Sequence, residues 1–206
     1  MLAALAAQPT GERTVIPLAF HVDYWNHLGW QDPFSSADWS RRQERYGTTF
    51  GGGRIYTPEL VVAGRADCVG NDAAGMRRLV ASAAAEPEVA TVAVERGNAS
   101  AAALPVTVRA ERRREADASP AEVLVALYEN GLETPVRAGE NARRTLHDDR
   151  VVRRLERVTL LPAGGGSATA TLELRLDPAW RRSALGIVAF VQEPGSLRVL
   201  AAAEAP

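Results

Sequence analysis

The spacing of apolar residues changes character once along the chain, and that change divides the reading. From Thr14 to Phe20 the run is apolar on both faces, the pattern of a strand buried inside a parallel or mixed sheet, with Pro17 as a proline inside it. Ser35-Ser36-Ala37-Asp38 matches a capping box and opens a helix to about Tyr46. Glu59 to Ala63 and Ala66 to Val69 read as two strands joined through Gly64-Arg65 as a hairpin. Asn71-Asp72 caps a further helix whose Met76, Leu79, Val80 and Ala83 recur at helical spacing, and Glu86-Pro87 closes it. Met1 to Pro9 reads as the last turns of a helix stopped by Pro9 and Gly11.

Beyond Pro87 the period becomes two. Ala90, Val92 and Val94 alternate with more polar neighbours, as do Leu104, Val106 and Val108, and Leu172, Leu174 and Leu176. With Val123 to Tyr128, Val151 to Leu161, Leu185 to Val191 and Leu197 to Ala202, this predicts six or seven short strands in an antiparallel β-sandwich. The expected division is 1–87 for an α/β unit and 88–206 for the sandwich. Glu111-Arg112-Arg113-Arg114-Glu115, with mixed signs, is expected in a solvated hairpin loop. Gly164-Gly165-Gly166 is a loop without the lysine and helix of a phosphate loop.

Composition narrows the function classes. At 206 residues, 46% hydrophobic and 24% charged, the chain is an ordinary globular sequence with room for a real core. A formal net charge of -1 gives no support for a nucleic-acid partner. All basic side chains are arginine, as a GC-rich genome favours. No apolar run is long enough to span a membrane, and Met1 to Pro9 lacks the basic region of a signal peptide. The single cysteine, Cys68, rules out an internal disulfide or a Cys-x-x-Cys motif within the chain. A lone cysteine in a strand is expected to be a small buried hydrophobe.

Chemistry-bearing residues concentrate between Phe20 and Phe34: His21, Asp23, Tyr24, Trp25, His27, Trp30 and Asp32. His21, Asp23, His27 and Asp32 are ligand types for zinc or a harder metal that a loop could fold together; hydrogen bonding by His21 and Asp23 is the favoured reading. His147, among Asp148, Asp149 and Arg150, is expected in a solvated turn.

The motifs His21-Val22-Asp23-Tyr24-Trp25, Leu28-Gly29-Trp30, Asp32-Pro33-Phe34, Tyr56-Thr57-Pro58 and Gly64-Arg65-Ala66 resemble a family of bacterial secreted thioredoxin-like proteins, catalogued as domain of unknown function 1223. Ala126 to Gly131 and Gly139 to Leu146 are similar to the same family. The resemblance implies a thioredoxin-like domain, here without its N-terminal strand and cysteine pair, followed by a β-sandwich. It implies that Thr57-Pro58 is a cis bond heading a strand and facing the position of the cysteines. Thr57, Pro58, His21, Asp23 and Trp25 would then form the substrate-binding residues for an extended peptide or protein thiol. It also implies a periplasmic or secreted location. The absent strand would lie between Thr14–Phe20 and Glu59–Ala63, leaving two unpaired inner edges. The simplest expectation is that signal peptide, strand and cysteine motif lie upstream of Met1; the alternative is a shortened protein in which those strands pair directly. Without the cysteines no dithiol oxidoreductase activity is expected of this chain, and no cofactor is implied. A non-enzymatic protein- or envelope-binding module is the second reading, and a metal-binding protein the third. Oligomeric state is left open.

Overall fold

Strand Ala121–Glu129 has apolar residues at nearly every position, and the fold explains why both of its faces need them. The computed structural model describes residues 14–113, 119–139 and 141–206. Its strands are β1 (Glu59–Val62), β2 (Ala66–Val69), β3 (Ala90–Arg96), β4 (Ala103–Arg112), β5 (Ala121–Glu129), β6 (Leu132–Pro135), β7 (Thr145–Asp148), β8 (Val151–Leu161), β9 (Gly166–Arg175), β10 (Leu185–Gln192) and β11 (Val199–Glu204). Among the described residues there are also two α-helices, α1 (Ala37–Thr49) and α2 (Ala73–Ala84), and short 3-10 turns at Asn26–Leu28 and Arg182–Ala184. The chain is thus mostly β, built of several antiparallel sheets.

Strand β5 is central in a four-stranded sheet of order β11-β10-β5-β8, opposite a three-stranded sheet of order β3-β4-β9. Successive side chains of a strand point to opposite faces. Ala121, Val123, Val125 and Leu127 therefore join Leu104, Val106, Val108 and Leu174 of the facing sheet in one buried cluster. Leu124, Ala126 and Tyr128 face the other way, where Ile16, Leu18, Phe20 and Trp39 cover them. That second layer carries the candidate site.

The expectation of a sheet strand over Thr14–Phe20 is corrected here. The segment is extended, but Ala19 makes only an isolated parallel bridge to Val151, through Ala19 N–H to Arg150 O and Val152 N–H to Ala19 O, both 2.9 Å. Pro17 removes one ladder donor. The apolar residues at alternate positions, Ile16, Leu18 and Phe20, are used instead to cover the four-stranded sheet. The proposed helix before Pro9 lies outside the described residues.

Helix α1 begins where the capping sequence places it: Ser36 Oγ accepts from Asp38 N–H at 3.2 Å. The β1–β2 hairpin is antiparallel, pairing Leu60 with Cys68, and α2 packs upon it after an Asp72 cap that accepts from Gly75 N–H at 2.8 Å. The hairpin's turn docks on the β10–β11 connection, where Val199 N–H donates to Ala63 O at 2.8 Å.

Two further expectations need correction. Arg112 is not in a solvated loop: it is 3% exposed, ends β4, and pairs with Glu193 at 2.8 Å. The inward alternation of Val106, Val108 and Ala110 simply continues to it. His147 lies in β7 rather than a turn, with an exposed ring 3.4 Å from Glu133 across the β6–β7 hairpin. Gly164 and Gly165 do form a loop, while Gly166 opens β9.

Candidate functional site

The aromatic loop and the start of β1 meet through side chains. Trp25 Nε1–H donates to Thr57 Oγ1 at 2.9 Å, joining residues 32 positions apart. The Thr57–Pro58 peptide bond is cis. Gly70 N–H donates to Pro58 O at 2.7 Å, so the proline begins the hairpin pairing.

Helix α1 holds this junction together. Tyr24 OH donates to Gln43 Oε1 at 2.9 Å, and Gln43 Nε2 donates to Tyr56 O and to Glu59 Oε2, each at 2.7 Å. Burial raises the Tyr24 phenol above its ordinary value, partly offset by its Gln43 and Thr57 hydrogen bonds. Burial also raises Glu59, against the Gln43 bond and with the help of Asp67. Tyr56 OH bonds the Asp67 carboxylate of β2, and burial together with that bond holds the phenol far above its usual range. Gln43 was not singled out in the sequence; one glutamine in a polar helix carries no pattern by which to find it.

The other loop residues turn elsewhere. Asp23 accepts from Ser40 Oγ–H on α1, and its own N–H donates to the same oxygen at 3.1 Å. His21 Nδ1 lies 2.6 Å from Asp32 Oδ2, and its ring packs edge-on to Phe34 at 5.8 Å between centroids. Burial pulls the His21 pKa down, but the Asp32 hydrogen bond and charge, with Asp148 behind them, leave it above its ordinary value. Asp32 is held below the usual carboxylate value: burial pushes it up, and His21, the Phe34 N–H and Arg153 outweigh that. His27 Nδ1 sits 2.6 Å from Tyr24 O. The four residues considered as a metal set therefore do not converge. Among the described residues no group of three or more His, Cys, Asp or Glu is placed to hold a metal.

Large apolar side chains are exposed at this junction. Of five large hydrophobic side chains exposed among the described residues, Trp25, Leu28, Ile55 and Val69 belong to the segments that meet here. One edge of β1 is also open. Antiparallel pairing alternates the direction of backbone groups. With Pro58 O bonded to Gly70, the N–H and C=O of Glu59 and Val61 point away from β2, and among the described residues they have no partner. Cys68, opposite Leu60, has its thiol pushed up by burial and by Asp72 and Asp67, which disfavours the thiolate nucleophile. Gly139, with φ of 78°, lies against the loop's far side, where an added side chain would come within 3.4 Å of Leu28 O.

A family model described as a protein of unknown function, DUF1223, matches residues 1–192. The chain belongs to that family. Among solved structures, a DUF1223 chain of this shape is similar to an Agrobacterium tumefaciens protein from a structural genomics programme, with a TM-score of 0.65 and 22% identity. That match covers 91% of this chain and 78% of the other. It is also similar to HBP35 of Porphyromonas gingivalis, with a TM-score of 0.62 and 14% identity, over 81% of this chain and 57% of the other. At these identities the likeness concerns the fold alone. No curated protein matches the chain. No helix among the described residues is long and apolar enough to cross a membrane.

Proposed function

We propose that this DUF1223 chain binds an extended polypeptide at the Trp25/Thr57–Pro58 junction, along the open edge of β1. We read residues up to Pro87 as the substrate-side part of a thioredoxin-like domain and residues 88–206 as a β-sandwich. The chain resembles an extracytoplasmic thiol–disulfide oxidoreductase, and with Cys68 as its single cysteine it supplies recognition and not redox chemistry.

The observation that carries the reading is the pair of unpartnered Glu59 and Val61 backbone groups beside the cis bond and the exposed Trp25 ring. A free strand edge takes up an extended peptide by main-chain hydrogen bonds, and neighbouring side chains add selectivity. Trp25, held by Thr57 and 50% exposed, offers an aromatic face to such a peptide. His21 and Asp23 act here as positioning residues, since their bonds to Asp32 and Ser40 fix the loop that presents Trp25. A non-enzymatic binding module would use the same surface, and the raised Cys68 thiol favours it over catalysis within this chain.

Reduced, carboxymethylated α-lactalbumin serves as an unfolded probe and the native protein as control, with binding followed by calorimetry. The unfolded form is expected to bind and the native form not. Val61→Pro removes one outward N–H from the edge, and Trp25→Ala removes the aromatic face; each is expected to weaken binding about tenfold, or ~1.4 kcal/mol, with the melting temperature retained. Equal affinity in both variants, or no binding of the unfolded probe, would sink the proposal. Insulin reduction by the chain is expected to proceed no faster than with free thiol alone.

A further inference from the structure

A second concavity lies on the other side of α1. It is a cavity of about 690 Å³ between the N-terminal half of α1 and strand β8, with Trp180 closing one wall. Its lining carries five arginines, Arg41, Arg42, Arg45, Arg153 and Arg154, against two carboxylates, Asp38 and Glu156. In a protein of formal net charge -1, that is a local excess of positive charge on one face.

The two carboxylates answer only part of this charge. Asp38 bonds the exposed Arg41 as an i,i+3 pair. Arg42 donates to two neutral acceptors, Tyr46 OH and Gln192 Oε1, both at 3.0 Å, and burial lowers its pKa. Arg45 donates to Pro194 O at 3.2 Å and Arg154 to Arg175 O at 2.8 Å, again neutral carbonyls. Arg153 reaches Glu129 at 3.8 Å and interacts through its charge with Asp177 and Asp32, while its Nη1 is buried with no acceptor among the described residues. Arg42, Arg45 and Arg154 thus have neutral acceptors in place of carboxylates, and a concave face lined by like charges attracts an anion.

The walls are also aromatic. Arg153 lies over Phe34 at 5.0 Å and over Trp180 at 5.2 Å, and Arg154 over Trp180 at 5.6 Å. Trp39 lines the same cavity. Guanidinium groups laid on aromatic faces stay planar and keep their edges for bidentate contacts to carboxylate or phosphate. The volume falls within the range of small-molecule sites, about 300–1,000 Å³.

We propose that this groove is a binding site for a small multivalent organic anion, with its charged groups on the arginines and a planar or apolar body against Trp39 and Trp180. The site is independent of the β1 edge and needs neither the peptide reading nor a cysteine.

Calorimetry on the whole chain tests it with three probes. Trimesate carries three carboxylates on an aromatic ring, tricarballylate carries three on an aliphatic chain, and pyrophosphate supplies phosphate without a body. Trimesate is expected to bind with a submillimolar Kd, tighter than tricarballylate, and to weaken as salt shortens the screening length. Pyrophosphate as the tightest of the three would keep the anion site and assign its ligand to the phosphate class. The double variant Arg41→Gln/Arg154→Gln spares the buried Arg42 and is expected to lose at least tenfold in affinity, with an unchanged melting curve. Arg41→Gln alone, at a side chain 63% exposed, is the fallback if the double variant does not fold, and is expected to lose several-fold. No heat from any probe at millimolar concentration, or an affinity unaffected by these substitutions, overturns the proposal.

Discussion

Asp32→Asn isolates the contact that orders the aromatic loop. His21 Nδ1 and Asp32 Oδ2 are 2.6 Å apart, with side chains 18% and 21% exposed, so solvent screens them weakly. A hydrogen bond to a charged group at such a site contributes about 1.5–3 kcal/mol. Asparagine keeps an acceptor for Phe34 N–H, which donates to Oδ1 at 2.8 Å, so the substitution removes mainly the charge. The pH dependence follows from both partners. His21 titrates above its ordinary 6.5 in the folded protein, so its contribution is full below that value and disappears as pH rises through the folded pKa. Asp32 titrates below its ordinary 3.8, so its contribution is present above that value and fades as pH falls through the folded pKa. The stability difference between wild type and variant, from denaturant unfolding, is therefore expected to peak at about 1.5–3 kcal/mol in the mildly acidic window. Toward alkaline pH it declines, because His21 loses its charge while the ionised Asp32 keeps only the hydrogen bond. The His21 ring, followed by NMR, is expected to titrate at lower pH in the variant, because burial and Arg153 then act with only Asp148 opposing them. A flat difference across pH, or an unmoved His21 titration, would refute the reasoning.

Gly64→Ala places a Cβ 1.8 Å from the Leu197 carbonyl oxygen at a φ of 62°, and is expected to cost at least ~2 kcal/mol by thermal melting. Gly51→Ala, with φ of 78° and nothing within 4 Å, is its control and is expected to cost only the left-handed penalty of about 1 kcal/mol. Leu127→Ala empties a fully buried position of β5 and is expected to cost about 2–5 kcal/mol in urea unfolding. Cys68, half-buried, is expected to react with a disulfide reagent near neutral pH more slowly than free cysteine, and parity with the free thiol would contradict the upward push that desolvation, Asp72 and Asp67 give it.

Period-two alternation made most of the β structure legible. Strand β8 spans Val151–Leu161 as the pattern predicts, and β3, β4, β5, β9, β10 and β11 each contain or overlap the predicted run. The pattern failed where residues answer to tertiary contacts. Leu132 to Pro135 and Thr145 to Asp148 are short and polar, so β6 and β7 carry no alternation to read. Thr14 to Phe20 has strand composition, yet its apolar side chains are spent on the face of a sheet rather than within one. Arg112 was legible in principle, since β4 buries every second residue from Leu104 onward; its charged neighbours obscured the period. In the site, the Trp25 and Thr57–Pro58 motifs stand out in the sequence. The groove does not, because its arginines come from α1 and β8, more than a hundred residues apart.

Helix α1 connects these features, and its geometry separates them. Successive residues on an α-helix step round by about 100°, so three neighbours face three ways. Arg42 and Tyr46, one turn apart, point to the sheet: the Arg42 guanidinium lies 5.4 Å from the Phe20 ring centre, 5.3 Å from Tyr46 and 5.8 Å from Phe190. Gln43 points to the peptide junction, where it bonds Tyr56 and Glu59. Arg41 and Arg45, again one turn apart, line the groove. Only Ser40, Tyr46 and Gly47 of this helix are buried, so its attachment rests on directed polar and cation–π contacts more than on apolar area. Loss of Arg42 would remove its bond to Gln192 and its contacts with the Phe20 and Phe190 rings, on the face between the two surfaces. Loss of Arg41 or Gln43 removes a group from one surface while the Arg42–Gln192 attachment to β10 remains, which is why the two sites can be tested apart on a single folded chain.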